Sequence, residues 1–166
     1  LKETGGKLHL LGLLSPGGVH AHQRHIAALA KIVAGAGVPV LVHGFLDGRD
    51  VGPKSAQTYV QAFLDDLGDN PDIKLASLCG RYFAMDRDNR WERVERAYNL
   101  LTRCDAITEN SPVDVVRQSH TEGTGDEFLE PVRFSPELIE AGDALVLFNF
   151  RPDRVRQLTA AFVNPA

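Results

Sequence analysis

The sequence predicts an α/β fold in which a mainly parallel sheet lies between two layers of helices, a three-layer sandwich. Continuous apolar runs of strand length alternate along the chain with segments whose apolar residues recur at helical spacing. Such runs are typical of parallel strands that are buried on both faces. An eight-stranded α/β barrel is excluded because it needs roughly 250 residues, and this chain has 166.

The predicted elements follow one another in a regular order. The apolar runs predict four strands, at residues 8–14, 38–46, 73–78 and 143–150. A helix is predicted over 21–34, where Gly35 and Gly37 stop it, and a second begins at Pro53, a residue that suits a first helical turn. Further helices are predicted over 91–102, within 111–125 and up to about residue 163. We expect residues 1–166 to form a single domain.

Composition limits the classes of function. The formal net charge is −4 and 43% of the residues are hydrophobic, which disfavours a general nucleic-acid surface and fits a globular protein. No apolar run approaches the ~20 residues that cross a bilayer, so we expect no membrane contact.

Of the 18 basic residues 13 are arginine, the side chain that binds carboxylate and phosphate through paired hydrogen bonds. The isolated Cys79 and Cys104 favour a reducing compartment.

Charged residues gather directly after the predicted strands. In a parallel sheet the loops after the strands meet at one edge, where ligands of open α/β sheets bind. Several arginines there predict a pocket for a small ligand with two or more negative charges. An aspartate among them keeps its charge and can exchange a proton with a bound hydroxyl. The side chains that we expect to face this pocket are His20, Asp47, Arg49, Asp50, Arg81, Arg87, Arg151 and Arg154.

The remaining reactive residues have simpler interpretations. His22 and His25 are expected on a helix surface, and the poor ligand set around them predicts no metal site in this chain. His9 and His43 lie within strands and are expected to be hydrogen-bonded core residues. Cys79 is expected to be a buried thiol rather than a nucleophile.

Long motifs resemble the cofactor-independent (2,3-bisphosphoglycerate-independent) phosphoglycerate mutase family. They extend in the family's order from about Lys7 to Val163, and are LHLLGLLSPGGVHAH, VPVLVHGFLDGRDVGPKSA, GRYFAMDRDNRWERVERAY, TGDEFLEP and DALVLFNFRPDRVRQLT. The family's enzymes have two domains, and this chain resembles only the inserted phosphotransferase, or substrate-orienting, domain. The resemblance places the phosphorylated serine and two manganese ions in the other, phosphatase-like domain.

The resemblance also implies roles for individual residues. His20 would contact the substrate phosphate, Arg49 and Asp50 the glycerate, and Asp50 would handle the hydroxyl proton. The carboxylate and phosphate would be held by Arg81, Arg87, Arg151 and Arg154. The implied function is the substrate-binding part of a cytoplasmic glycolytic enzyme, expected to be a monomer, that interconverts 3-phosphoglycerate and 2-phosphoglycerate through a phosphoserine. We expect the isolated chain to be inactive.

Two alternatives remain open at the sequence level. The chain could be a free-standing binding module for small phosphorylated hydroxy acids. It could also be a complete hydrolase that uses His20 and Asp50, although no set of nucleophile, base and oxyanion donors is evident.

Overall fold

A five-stranded, mainly parallel sheet forms the centre of the molecule. The computed structural model describes residues 1–103 and 106–164. In the described residues the strand order is β4-β3-β2-β1-β5, and only the β3–β4 pair is antiparallel. The strands are β1 (Leu8–Leu14), β2 (Val40–Leu46), β3 (Ile73–Gly80), β4 (Val132–Arg133) and β5 (Ala144–Leu147). The predicted parallel sheet is therefore confirmed.

Helices cover both faces of this sheet. The helices are α1 (Gln23–Gly35), α2 (Ala56–Leu67), α3 (Arg81–Ala84), α4 (Trp91–Thr102), α5 (Pro112–Thr121) and α6 (Arg156–Val163). Residues of α1, α2 and α5 form one hydrophobic cluster with the sheet, and residues of α3, α4 and α6 form a second. The three-layer sandwich is thus confirmed. No helix of the described residues has the length and apolar character that a membrane span requires.

The alternation of side chains along β1 explains the two clusters. Leu10 and Leu14 point into the first cluster, whereas Leu11 and Leu13 point into the second, and all four are buried. Burial of one such side chain contributes about 1.5–3 kcal/mol. The chain's own helices therefore supply an apolar layer on each face of the sheet.

Local contacts explain why several boundaries differ from the predicted ones. The helix predicted from residue 21 begins at Gln23, because His22 caps it by accepting the N–H of Arg24. The helix predicted from Pro53 begins at Ala56. The last strand ends at Leu147 rather than at residue 150, since the Asn149 side chain accepts the N–H of Leu13 at 3.0 Å. Strand β4, only two residues long, was not predicted. Cys104 lies outside the described residues.

A hydrogen-bonded chain of polar side chains crosses the second face of the sheet. The Ser77 hydroxyl lies 2.7 Å from His43 Nδ1, and His43 Nε2 lies 2.9 Å from His9 Nδ1. His9 Nε2 in turn lies 3.1 Å from the carboxylate of Asp143, which also accepts the N–H of Lys7 at 2.7 Å. Both histidines are buried. The prediction that they are satisfied core residues is confirmed.

A buried arginine fixes the edge of the sheet against α4. The Arg133 guanidinium is 4% exposed and donates to the backbone carbonyls of Leu100, Arg103, Ser135 and Glu137. The first two of these carbonyls lie at the C-terminal end of α4, where a helix leaves carbonyls without partners and its dipole favours a cation. Arg133 therefore holds β4, the following loop and α4 together.

We predict that stability falls as the pH drops from 7.5 to 5. Burial lowers the pKa of His9 and of His43, the latter well below the ordinary value, and the charge of Arg133 adds to the effect at His43. Below about pH 6.5 the unfolded chain therefore binds more protons than the folded chain. Each extra proton lowers the free energy of unfolding by about 1.4 kcal/mol per pH unit.

Urea unfolding at several pH values measures this slope. The His43→Gln variant should have a shallower slope than the parent chain. The exposed-surface variant His25→Gln serves as its control and should keep the parent's slope. A free energy of unfolding that stays constant between pH 7.5 and 5 would contradict the prediction.

Candidate functional site

The loops that follow β1, β2, β3 and β5 meet at one edge of the sheet. Parallel pairing brings their carboxyl ends together, with Leu14 of β1 opposite Leu46 of β2. The structure brings all of the predicted pocket residues to this edge. A buried group, in which only Asp50 is partly exposed, contains His20, Asp47, Asp50 and Arg81, and a more exposed rim contains Arg49, Arg87, Arg151 and Arg154.

Arg81 is the centre of the buried group. It lies at the start of α3, directly after β3, and is 4% exposed. Its Nη1 donates to Asp47 Oδ1 at 2.6 Å and to Asp50 Oδ2 at 2.8 Å. Its Nη2 lies 3.3 Å from Nε2 of His20. One guanidinium thus joins the loops that follow β1 and β2 to the end of β3.

Asp47 is the main counter-ion of Arg81. The Ser15 hydroxyl donates to it at 2.6 Å, and the backbone N–H groups of Arg49 and Asp50 donate to its other oxygen. Burial alone would raise the pKa of this carboxyl. The hydrogen bonds from Ser15, from the Asp50 N–H and from Arg81 outweigh burial and hold the pKa below its usual value. The sequence placed Asp47 at this edge, and the structure makes it the residue that shapes the loop carrying Arg49 and Asp50.

His20 is buried, and its surroundings favour the neutral imidazole. Burial lowers its pKa, the positive charge of Arg81 lowers it further, and Asp50 opposes both effects. The imidazole is 3% exposed, and its Nε2 lies 3.9 Å from Asp50 Oδ2. A ligand that reached this edge would therefore meet His20, Asp50 and Arg81 side by side.

Asp153 connects the arginines of the rim. Its Oδ2 accepts hydrogen bonds from Arg87 and from Arg151, both at 3.2 Å. Its Oδ1 lies 4.0 Å from Nδ1 of His20. Sequence reasoning missed Asp153, although it stands between two assigned arginines in the run Arg151-Pro-Asp-Arg154. That spacing was the signal that could have revealed it.

A polar cavity of about 200 Å³ opens beside the buried group, with the arginine-rich loops around it. Burial lowers the pKa of Arg154, and the nearby guanidinium groups of Arg87, Arg81 and Arg49 lower it further. Mutual repulsion among these cations is relieved by a bound anion. Residues that line the cavity include Arg49, Arg81, Tyr82, Arg87, Arg93, Glu127 and Arg154.

Glu127 is a second residue that sequence reasoning missed. Its carboxylate lies 3.9 Å from Nη1 of Arg49, in a 3-10 turn formed by Asp126–Phe128. The turn is fixed by Asp126, whose Oδ2 accepts the N–H groups of Ser55 and Ala56 at the start of α2. Its signal in the sequence was the motif TGDEFLEP, which carried the family resemblance but received no role.

A family model described as the N-terminus of BPG-independent PGAM matches residues 1–166. The chain belongs to the 2,3-bisphosphoglycerate-independent phosphoglycerate mutase family. Relatives with that enzyme's name are 48% identical in Cyanothece sp. and 49% identical in Prochlorococcus marinus, each match covering 99% of this chain and 31% of the relative. The chain therefore spans about a third of the length of these relatives.

The fold agrees with a solved member of the mutase family. A crystal structure of Leishmania mexicana phosphoglycerate mutase at low cobalt concentration superposes with a TM-score of 0.86 at 33% identity. The match covers 98% of this chain and 32% of the Leishmania chain. Among the described residues, no group of three or more His, Cys, Asp or Glu side chains could hold a metal ion. Burial raises the pKa of Cys79 to about 12, so its thiol is not a nucleophile at neutral pH.

We predict that substitution of a buried arginine lowers stability far more than substitution of an exposed one. Arg81→Met leaves Asp47 buried without its counter-ion, which costs about 3–5 kcal/mol of stability. Arg151→Ala removes an exposed side chain and should change stability by no more than about 0.5 kcal/mol. Urea unfolding of both variants measures the difference. Equal stabilities of the two variants would show that Arg81 does not hold the site together.

We also predict that Gly80→Ala displaces the turn that carries Glu127. A Cβ at Gly80 would lie 2.1 Å from the backbone oxygen of Glu127 and 2.8 Å from the N of Leu129, and backbone atoms cannot yield as a side chain does. We expect a loss of about 3 kcal/mol, the upper end for overpacked sites. Gly35→Ala is the matched control. No atom lies within 4 Å of a Cβ at Gly35, at the end of α1, so this variant should be stabilised by up to about 1 kcal/mol. If the unfolding midpoints of the two variants shifted in the same direction and by the same amount, the predicted clash at Gly80 would be refuted.

Proposed function

We propose that this chain is the substrate-binding part of a phosphoglycerate mutase that interconverts 3-phosphoglycerate and 2-phosphoglycerate in glycolysis. The overall reaction would pass through a phosphoserine in the remainder of the polypeptide. The observation that supports the proposal is the joining of Arg81, Asp50 and His20 beside a cavity that is ringed by further arginines. Such a site suits a small ligand with a carboxylate, a phosphate and a hydroxyl.

The two parts of the site would have different tasks. The rim arginines Arg49, Arg87, Arg151 and Arg154 are exposed or half-buried and would grip the carboxylate and the phosphate through paired hydrogen bonds. Holding glycerate in one place between two phosphoryl transfers replaces a second encounter in solution with an oriented, local reaction, which can supply several kcal/mol of the barrier. The arginines would thus keep glycerate from leaving before the phosphoryl group returns to it.

Asp50 would handle the proton of the reacting hydroxyl. Its Oδ2 accepts from Arg81 at 2.8 Å, and its other oxygen is free of any hydrogen bond to a described side chain. A carboxylate placed in this way can accept a hydroxyl proton as the oxygen attacks and return it when the group leaves. Arg81 orients the carboxylate, so the proton transfer would not depend on a mobile side chain.

The manganese ions implied by the family resemblance do not fit this chain. The described residues hold no suitable ligand group, and the carboxylates of the site are paired with arginines that would repel a cation. We therefore assign the metal ions to the remainder of the polypeptide, together with the serine. The present residues would bind, orient and transfer a proton.

We expect the isolated chain to bind phosphoglycerate weakly and to lack mutase activity. This chain would surround the ligand on one side only, so each arginine–anion pair stays hydrated and contributes ~0–1 kcal/mol. Several such pairs must offset an association cost of ~4 kcal/mol or more. A dissociation constant on the order of millimolar follows, near −4 kcal/mol. Phosphorus NMR should detect no conversion of 3-phosphoglycerate, with or without manganese.

Backbone amide shifts during a titration with 3-phosphoglycerate locate the ligand. The shifts should centre on residues 17–20, 48–50, 81–87 and 151–154, and should shrink in Arg151→Ala. Arg117→Ala is the matched control, because Arg117 pairs with Asp114 on α5 outside the cluster. Shifts confined to other surfaces, or turnover at the rate of an enzyme by the isolated chain, would refute the proposed function.

A further inference from the structure

The imidazole of His20 lies between two groups of opposite character. Its Nε2 lies 3.3 Å from Nη2 of Arg81, and its Nδ1 lies 4.0 Å from Oδ1 of Asp153. His20 is 3% exposed. Both His20 Nδ1 and Asp153 Oδ1 are buried and lack a hydrogen-bond partner among the described residues. Arg151 Nε is 2.9 Å from Asp153 Oδ1 without forming a hydrogen bond to it.

These contacts fix the position of the proton on neutral His20. A guanidinium can only donate hydrogen bonds, so the nitrogen that faces Arg81 must accept. The proton of the neutral ring therefore belongs on Nδ1, which lies 4.0 Å from the Asp153 carboxylate. A shift of about 1 Å would turn this approach into a charge-assisted hydrogen bond.

We propose that Asp153 is a positioning residue which holds the His20 proton on Nδ1, so that His20 takes up a second proton, on Nε2, when a tetrahedral dianion binds. The inference deepens the proposed substrate site and rests on it for the identity of the anion. It concerns the ionisation state of His20, which neither the family resemblance nor the geometry of the arginines specifies.

The proton balance of this step is simple. Nε2 takes a proton from solvent, the ring becomes imidazolium, and the new N–H donates to an oxygen of the anion, while Arg81 Nη2 turns from Nε2 to the same anion. The charged groups that face His20 are Arg81 and Arg151, which oppose protonation, and Asp50 and Asp153, which favour it. A bound dianion would bring two negative charges close to His20, and these favour the protonated imidazole. Asp153 is needed because an imidazolium must donate from both nitrogens.

The first measurement needs no ligand. Nitrogen-15 NMR of the imidazole rings at pH 8, with the His20 signals assigned by His20→Gln, should show the Nδ1–H tautomer in the parent chain. In Asp153→Ala this preference should weaken, because the carboxylate that favours a proton on Nδ1 is gone. A predominant Nε2–H tautomer in the parent chain would overturn the proposal, whether or not the variant folds.

The second measurement uses sulfate, a tetrahedral dianion that does not titrate between pH 5.5 and 8. If binding raises the pKa of His20 by one unit, the affinity for sulfate increases about tenfold as the pH falls through this window. We expect this increase in sulfate affinity in the parent chain. The increase should be less than about a third as large in Asp153→Asn, and it should be absent in His20→Gln. Asp66→Asn removes an equal charge from an exposed position on α2, outside the lining of the cavity, and should keep the whole gain.

The outcomes separate this inference from the proposed function. A sulfate affinity that is independent of pH, or no sulfate binding, would overturn the proton uptake. The Nδ1–H tautomer together with pH-dependent sulfate binding would support the inference even if phosphoglycerate did not bind, in which case only the proposed function would fail.

Discussion

The buried ion pair between Arg81 and Asp47 is the contact on which the rest of the site depends. Moving a charge out of water costs several kcal/mol per ion unless partners satisfy it fully. Here both ions have further hydrogen-bond partners. Ser15 and two backbone N–H groups donate to Asp47, and Arg81 also contacts Asp50 and His20. The loops that follow β1 and β2 can therefore adopt only those conformations that keep this group together, and the end of β3 must present Arg81 to both.

The arginines of the rim, unlike the buried group, are exposed and movable. Arg49, Arg87 and Arg151 have about half of their side-chain surface exposed, and long exposed side chains keep much of their rotational entropy. Carboxylates hold them near the cavity without burying them: Glu127 stands beside Arg49, and Asp153 lies between the other two. A rigid centre would thus set the position of the proposed ligand, while movable side chains would close on its charged ends.

The sequence predicted the sheet and the pocket because both depend on patterns that lie close together along the chain. An apolar run such as Leu8–Leu14 indicates a buried parallel strand, and charged residues directly after strands indicate which side chains meet at one edge of the sheet. Strand β4 could not be found in this way, since two residues carry no periodicity and its place depends on Arg133 reaching the carbonyls of Leu100 and Arg103, which are distant in sequence. Glu127 was missed because it reaches the site through the packing of its turn against Gly80, a contact between residues that are far apart in sequence.

The two outermost strands of the sheet also influence how the chain behaves among its own copies. An edge strand with unpaired backbone groups can template the growth of a sheet from one molecule to the next. Here the long strands β1, β2 and β3 all lie inside the sheet, and the edges are left to β4 with two residues and β5 with four. At one edge the hydrogen bonds of the Arg133 guanidinium also hold β4 against α4. The segments with the greatest tendency to aggregate are thus shielded by edges too short to recruit another chain.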